Sequence, residues 1–289
     1  MENNFVYKQI YIIGSGQLAY DCALICKKYI DNVKVFELKV TESTVLEKLC
    51  EKSQISYIAV RSASLTEYLK KEKCPTLIVS AASIYLVPEE IIGMDNYTII
   101  NWHNALLPKH KGRNAEVWAI YEGDATTGVT WHHITGQIDG GDILCQEEIA
   151  ITENTTAMSL YRQQISLGKE MFESFCENLL RGACGACKQV DSGEESMHFS
   201  KQKPNGGFLD LTWDIHKISR FLRAMDYGSL LLLGKMKIRV QDKIYEFYRY
   251  KIKMAEESIK QREVIVEEGV LAIKENDIII TIKGLQEIQ

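Results

Sequence analysis

Five short apolar runs, with a helix-like stretch between each and the next, occupy roughly the first third of this chain and restrict its fold more than any other feature. The runs are QIYIIG at 9–14, VKVFEL at 33–38, ISYIAV at 55–60, TLIVSA at 76–81 and TIINWH at 98–103. Helical patterns fall between them at 17–29, 43–52, 64–72 and 88–92. Strands covered on both faces read as continuous apolar runs, and parallel strands need a crossover between them. The alternation predicts an α/β fold: a parallel sheet with helices on both faces.

The pattern then changes. A helix is expected near 114–122, a β-rich stretch over 127–150, and a long helix over 155–181. Asn154 or Thr155 offers that helix an N-cap and Gly182 a stop. The segment 182–207 mixes Gly, Ser, Pro and charge without periodicity and reads as a linker. A helix at 214–226 and closely spaced strands at 229–240, 244–253, 262–266, 270–273 and 277–283 suggest a small β-barrel. The expected organisation is a first domain over 1–185, a linker over 186–205 and a β-rich domain over 206–289.

Composition narrows the function classes. The chain has 289 residues, and its net charge of −5 with no block of five or more Lys or Arg argues against a nucleic-acid partner. No apolar run approaches the roughly 20 residues of a transmembrane helix, so no membrane association is expected. The opening stretch MENNFVYKQIYIIGSG does not read as a signal peptide. Cys22, Cys26, Cys50, Cys145 and Cys176 lie scattered in apolar segments, as in a reducing compartment, and the expected location is cytoplasmic.

Three constellations carry chemistry. GSGQLA at 14–19 follows a strand and opens a helix, and Glu37 ends the next strand. Gly14, Gly16 and Ala19 fit a dinucleotide fingerprint, or an anion cradle at a helix start. A dinucleotide-binding oxidoreductase or sensor is therefore one reading. In NWHNALLP at 101–108, Asn101 and His103 stand two apart on a strand and share a face. At the carboxyl end of a parallel sheet they border the crevice where such folds bind ligands. An amide and an imidazole there can hold an oxyanion and move a proton. Finally, in GVTWHHITGQIDGGDILCQ at 128–146, Thr130, His132 and Ile134 alternate and a turn carries Asp139, Gly140 and Gly141. An aspartate there raises a neighbouring histidine's pKa, or simply closes a hairpin. Cys184 and Cys187 form a lone CxxC, too few ligands for zinc, and no metal is expected.

Together, N-x-H-x-x-L-L-P at 101–108, Gly112 after the basic Lys109-His110-Lys111, GVT at 128–130, His132 and IDGGDIL at 138–144 resemble the folate-dependent formyltransferases. The resemblance covers roughly residues 8–180. Segment 208–239 resembles the second domain of the longer members, where a helix leads into a small OB-like barrel. The implied fold is a Rossmann-like catalytic domain followed by that barrel. The implied activity is one-carbon transfer, from 10-formyltetrahydrofolate to a primary amine, without metal. Asn101, His103 and Asp139 are the implied catalytic trio, with a protonated His103 beside Asn101 at the oxyanion. Ile84, Leu86, His132, Gly140 and Gly141 are implied at the folate, and Gly14, Ser15, Gly16, Lys109, His110 and Gly112 at the acceptor.

Two departures from the family pattern stand out, the first in the donor loop and the second bearing on the acceptor. Asn104 and Ala105 stand where family members often carry Pro-Ser. The transfer-RNA enzymes carry a basic insertion after the second strand, whereas VFELKVTESTVLEKL runs directly into a helix here. The expected acceptor is an amino sugar nucleotide or a carrier-tethered amino acid, with methionyl-tRNA as the alternative.

Overall fold

The computed structural model describes residues 5–38, 43–190, 193, 196–267 and 269–288. The apolar runs become strands β1 (Gln9–Gly14), β2 (Val33–Leu38), β3 (Ser56–Val60), β4 (Thr76–Ala81) and β5 (Tyr97–His103). Two more follow, β6 (Thr126–His133) and β7 (Ile143–Ala150), and the sheet order is β3-β2-β1-β4-β5-β6-β7. β1 to β5 pair in parallel and β6 runs antiparallel to β5. The central strands β1 and β4 are buried along their whole length, which is why they read as unbroken apolar runs.

Helices α1 (Gly16–Lys27), α2 (Val45–Lys52) and α3 (Ser62–Lys71) are the crossovers. One face of α1 buries Leu18, Cys22, Ile25 and Cys26, and α3 buries Leu65 and Leu69 beside Tyr11, Phe36 and Ile78. Cys22, Cys26, Cys50 and Cys176 are buried free thiols, used as small hydrophobes. The helix Ala157–Leu180 stacks Phe172 and Phe175 on the buried Trp131, with ring centroids 5.1 and 6.1 Å away. Its cap is Thr156, whose hydroxyl accepts from the Ser159 amide, one or two residues later than the sequence suggested. Gly182 ends it at φ +68°, where the left-handed region favours glycine.

Gly14 shows why the first turn needs glycine. A Cβ there would lie 1.9 Å from the Ala81 carbonyl oxygen on β4. Gly14→Ala must push β1 and β4 apart, at a cost of about 1–3 kcal/mol or more. A lowered denaturation midpoint with an unchanged slope is the expected result.

The chain forms two compact units, and the division between them does not fall at a single point. The first comprises 1–112, 128–149 and 163–197; the second comprises 113–127, 150–162 and 198–289. In the second, Asp214 caps the amphipathic helix Ile215–Ala224 by accepting from the Lys217 amide. Arg223 donates to the Thr155 carbonyl at 2.8 Å, and the Tyr227 hydroxyl donates to buried Glu116. This unit is β-rich, but its strands form two sheets. Phe208–Leu209, Met236–Val240, Lys243–Phe247 and Gln286–Ile288 make one, and Arg249–Glu267 with Val270–Lys283 make a long ribbon. The sequence split this ribbon into pieces because register shifts between Met254 and Glu263, and a left-handed Asn276, break the two-residue period. The residues expected as the first strand of this region, from 229, begin instead as a short 3₁₀ turn. Among the described residues no helix is long and apolar enough to cross a membrane.

Candidate active site

The sheet's strand order reverses between β1 and β4, and their carboxyl ends open the crevice expected of such a sheet. The Ser15 hydroxyl spans it, donating to the Ala82 carbonyl at 3.1 Å. β5 lies beside β4, so Asn101 and His103 come to this same edge. The antiparallel pairing of β5 with β6 sets Asn101 opposite His132 and His103 opposite Thr130. The connection from β6 to β7 brings Asp139 back over both histidines. Its Oδ2 lies 3.5 Å from His103 Nδ1 and its Oδ1 3.5 Å from His132 Nε2. The expected trio is therefore assembled, with His132 as a fourth member.

Hydrogen bonds fix the direction of each group. His103 Nε2 lies 2.9 Å from the His110 carbonyl and His132 Nδ1 lies 2.8 Å from the His133 carbonyl. Carbonyls only accept, so both of these nitrogens carry hydrogen. In the neutral rings the nitrogens facing Asp139 are then bare, and a bare nitrogen repels a carboxylate. Asn101 relieves this at His132 by donating Nδ2–H to Nε2 at 3.1 Å, while the Ser80 hydroxyl donates to Asn101 Oδ1 at 2.7 Å. At His103 only a proton on Nδ1 relieves it.

Burial and charge act in opposition on that proton. Burial, the larger influence, pulls the His103 pKa below its ordinary value, and the Asp139 carboxylate pulls it back. Burial also works to raise the Asp139 carboxyl, but His103, His132 and the Gly112 amide together hold it well below the usual range. The Gly112 amide donates to Oδ2 at 2.8 Å. Burial and the carboxylate therefore oppose each other at His103, and a proton on Nδ1 completes an ion pair with Asp139. The protonated ring expected from the sequence is opposed by burial, the ring being 3% exposed, and favoured by the Asp139 carboxylate.

The other expected residues divide. His110 is buried and turned at φ +53°, and Gly112 serves the carboxylate, so both are committed to the trio. Lys109 is partly exposed, its amide closing a turn on the Leu106 carbonyl. Ser15 and Gly16 are exposed at the head of α1, and Gly14 is buried against β4. Ile84 and Leu86 stand 66% and 71% exposed on the chain leaving β4. The Gly140 amide closes a turn on Gln137, and a Cβ at Gly141 would lie 1.9 Å from the His133 carbonyl oxygen. Glu37 is buried and accepts from the Thr44 and Tyr57 hydroxyls at 2.5 and 2.7 Å, so the acid of the dinucleotide fingerprint has a structural task.

Among the supporting residues Ser80, Gln164, Gln189 and Ser196 were not singled out from the sequence, whereas Thr130 was, within GVT. Ser80 lies within an apolar run. Thr130 Oγ1 donates to the Ala105 carbonyl and accepts from the Leu107 amide and Gln146, which fastens the 104–108 loop to β6. Buried Gln164 donates to the Asn104 carbonyl at 2.8 Å. The segment read as a linker is not a spacer. Ser196 accepts from the His110 amide, and Gln189 donates to the Asp139 and Gly141 carbonyls.

Comparison with known proteins identifies the family. Residues 15–174 match the formyl transferase family. The chain is 33% identical over 151 residues to a GDP-perosamine N-formyltransferase of Brucella melitensis, covering 52% of this chain and 57% of that one. It is 33% identical over 155 residues to the methionyl-tRNA formyltransferase of Caldanaerobacter subterraneus, covering 54% of this chain and 50% of that one. The chain thus spans about half the length of the curated relatives it matches. Among solved structures, the Helicobacter canadensis N-formyltransferase in complex with folinic acid and dTDP-3-aminofucose shares the fold. Its TM-score is 0.76 at 20% identity, over 96% of this chain and 99% of that one. The sugar 3N-formyl transferase WlaRD gives 0.75 at 20% identity, over 97% and 98%. With more than half of its length matching the family, this chain belongs to the formyl transferases.

Proposed function

We propose that this protein transfers a formyl group from 10-formyltetrahydrofolate to the amine of a nucleotide-linked amino sugar. The observation that carries the reading is Asp139, its carboxyl held well below the usual range, facing His103 and His132 beside the partly buried Asn101. The donor fits the residues present. Ile84 and Leu86 expose apolar side chains at the carboxyl end of β4, one strand from Asn101, where a flat ring would cover them. When bound, the donor supplies the electrophilic formyl carbon. Asn101 keeps one Nδ2 hydrogen on His132 and has a second for an oxyanion. His103 takes the proton that the amine loses on acylation and returns it to the folate nitrogen as that nitrogen's bond to the formyl carbon breaks, and Asp139 balances the positive charge on the ring in between.

The sugar acceptor is favoured over methionyl-tRNA, although relatives of both kinds are 33% identical. Only six residues separate β2 from α2, of which 39–42 lie outside the described residues, so there is no room for a basic insertion. The net charge of −5 also suits a small acceptor better than a phosphate backbone. A carrier-tethered amino acid would use the same chemistry. Free cysteines and the folate donor suit the cytoplasm.

A thermal-shift panel with a folate analogue, NADH and NADPH tests the donor. At 100 times its dissociation constant a ligand of the native state adds about 2.7 kcal/mol of stability. The midpoint should rise with the folate and stay fixed with the nicotinamides. A rise with a nicotinamide alone would return GSGQLA to its dinucleotide reading.

A further inference from the structure

We propose that Gln189 is a positioning residue for Asp139, holding the carboxylate's loop in the one arrangement that serves both histidines. The inference rests on the reading of Asp139 and His103 as the proton-handling pair. The Gln189 Nε2 donates to the Asp139 carbonyl at 2.7 Å and to the Gly141 carbonyl at 2.8 Å. One amide group thus uses both hydrogens to bridge two carbonyls of the same loop, from a residue 50 positions further along the chain. Turning the amide over would set its oxygen against two carbonyl oxygens, so the orientation is fixed. Its own Oε1 is buried and has no hydrogen-bond partner among the described residues. A side chain that leaves an acceptor unpaired in order to make these two bonds is held there by the loop's need.

That need is visible in the backbone. Asp139 has φ +48°, a conformation L-residues adopt reluctantly, and two glycines with wide conformational freedom follow it. Left to itself such a loop samples many arrangements. Yet the carboxylate must stand 3.5 Å from each of two rings while accepting from the Gly112 amide at 2.8 Å. The segment that brings Gln189 is itself fastened beside the loop. Cys187 and Ile143 exchange backbone hydrogen bonds of 2.7 and 2.8 Å, two residues after Gly141 and two before Gln189. The strap and the amide together lock the loop at its carboxyl end.

Two variants and two readouts test this. Gln189→Ala removes both donors, and Gln189→Glu keeps the shape but offers only acceptors. Both should lower kcat by about 10–100-fold with the KM values for donor and acceptor little changed, as expected of a misplaced catalytic group. Gln189→Glu should recover part of the loss as the pH falls and its carboxyl gains a donor hydrogen, whereas Gln189→Ala should not. Hydrogen exchange at the Gly112 amide, which reports the Asp139 contact directly, should accelerate in both variants while the β1 and β4 amides keep their protection. Unchanged Gly112 exchange overturns the proposal, as does acceleration across the whole sheet with a lowered unfolding midpoint. If the wild-type protein transfers no formyl group, the functional reading fails, and Gly112 exchange still decides whether Gln189 positions Asp139.

Discussion

Replacing Asp139 with asparagine should lower the transfer rate by about 10²–10⁴-fold while leaving the fold and folate binding largely intact. The change keeps the side chain's shape, and an amide oxygen can still accept from Gly112. What is lost is the negative charge between the two rings. Asp139 raises the His103 pKa against the downward pull of burial. Without the carboxylate that pKa falls further, and a proton taken from the amine would sit on a buried ring with no counter-charge. The sign follows for the pH profile. Activity that needs an uncharged His103 falls as the pH drops through the ring's pKa, so the acid limb of the residual activity in Asp139→Asn should move to lower pH. Rate measurements across the acid range check both the size and the direction. A variant with full activity would remove Asp139 from the mechanism.

The second large effect is expected at Asn101. Asn101→Ala should cost about 10²–10³ in kcat, the amount that loss of one preorganised oxyanion donor typically carries. Asn101 is fixed at both ends, accepting from Ser80 and donating to His132, so its remaining hydrogen needs little reorganisation to meet a developing charge. The alanine also leaves the Ser80 hydroxyl and His132 Nε2 without their partner, at about 1–3 kcal/mol for each group that remains buried and unpaired. Asn101→Asp separates the two contributions. It is isosteric but has no amide hydrogen, and it places a negative charge where one develops. It should be at least as slow as alanine. Equal rates in Asn101→Asp and the wild type would show that no oxyanion is held there. Single-turnover rates with saturating donor measure this most cleanly.

The part of the molecule that local pattern controls was legible in the sequence. Strands β1 to β5 follow their apolar runs to within a residue because apolar residues dominate each run, and the central β1 and β4 are buried along their whole length. Asn101 and His103 could be placed on one face from strand geometry alone, whereas joining Asp139 to them rested on the resemblance to the formyltransferases. Long-range partners were not legible. Gln189 and Ser196 sit in a stretch without periodicity, and their contacts reach back 50 and 86 positions to Asp139 and His110. The charge state of His103 rests on two opposed influences, of which the sequence shows one. The pull toward protonation comes from a neighbour the sequence reveals, whereas the opposing burial comes from the whole fold. In the ribbon Arg249–Glu267, irregular register hid one strand among several short ones.

The most direct test of the central claim is a formyl-transfer assay. Purified protein is incubated with 10-formyltetrahydrofolate and a panel of nucleotide-linked amino sugars, and the sugar product is analysed by mass spectrometry. The account predicts one formyl group added to at least one amino sugar by the wild-type protein, and almost none by Asp139→Asn at equal folate saturation. Folate binding by both proteins with no formylated sugar from either, or equal product from both, would contradict it.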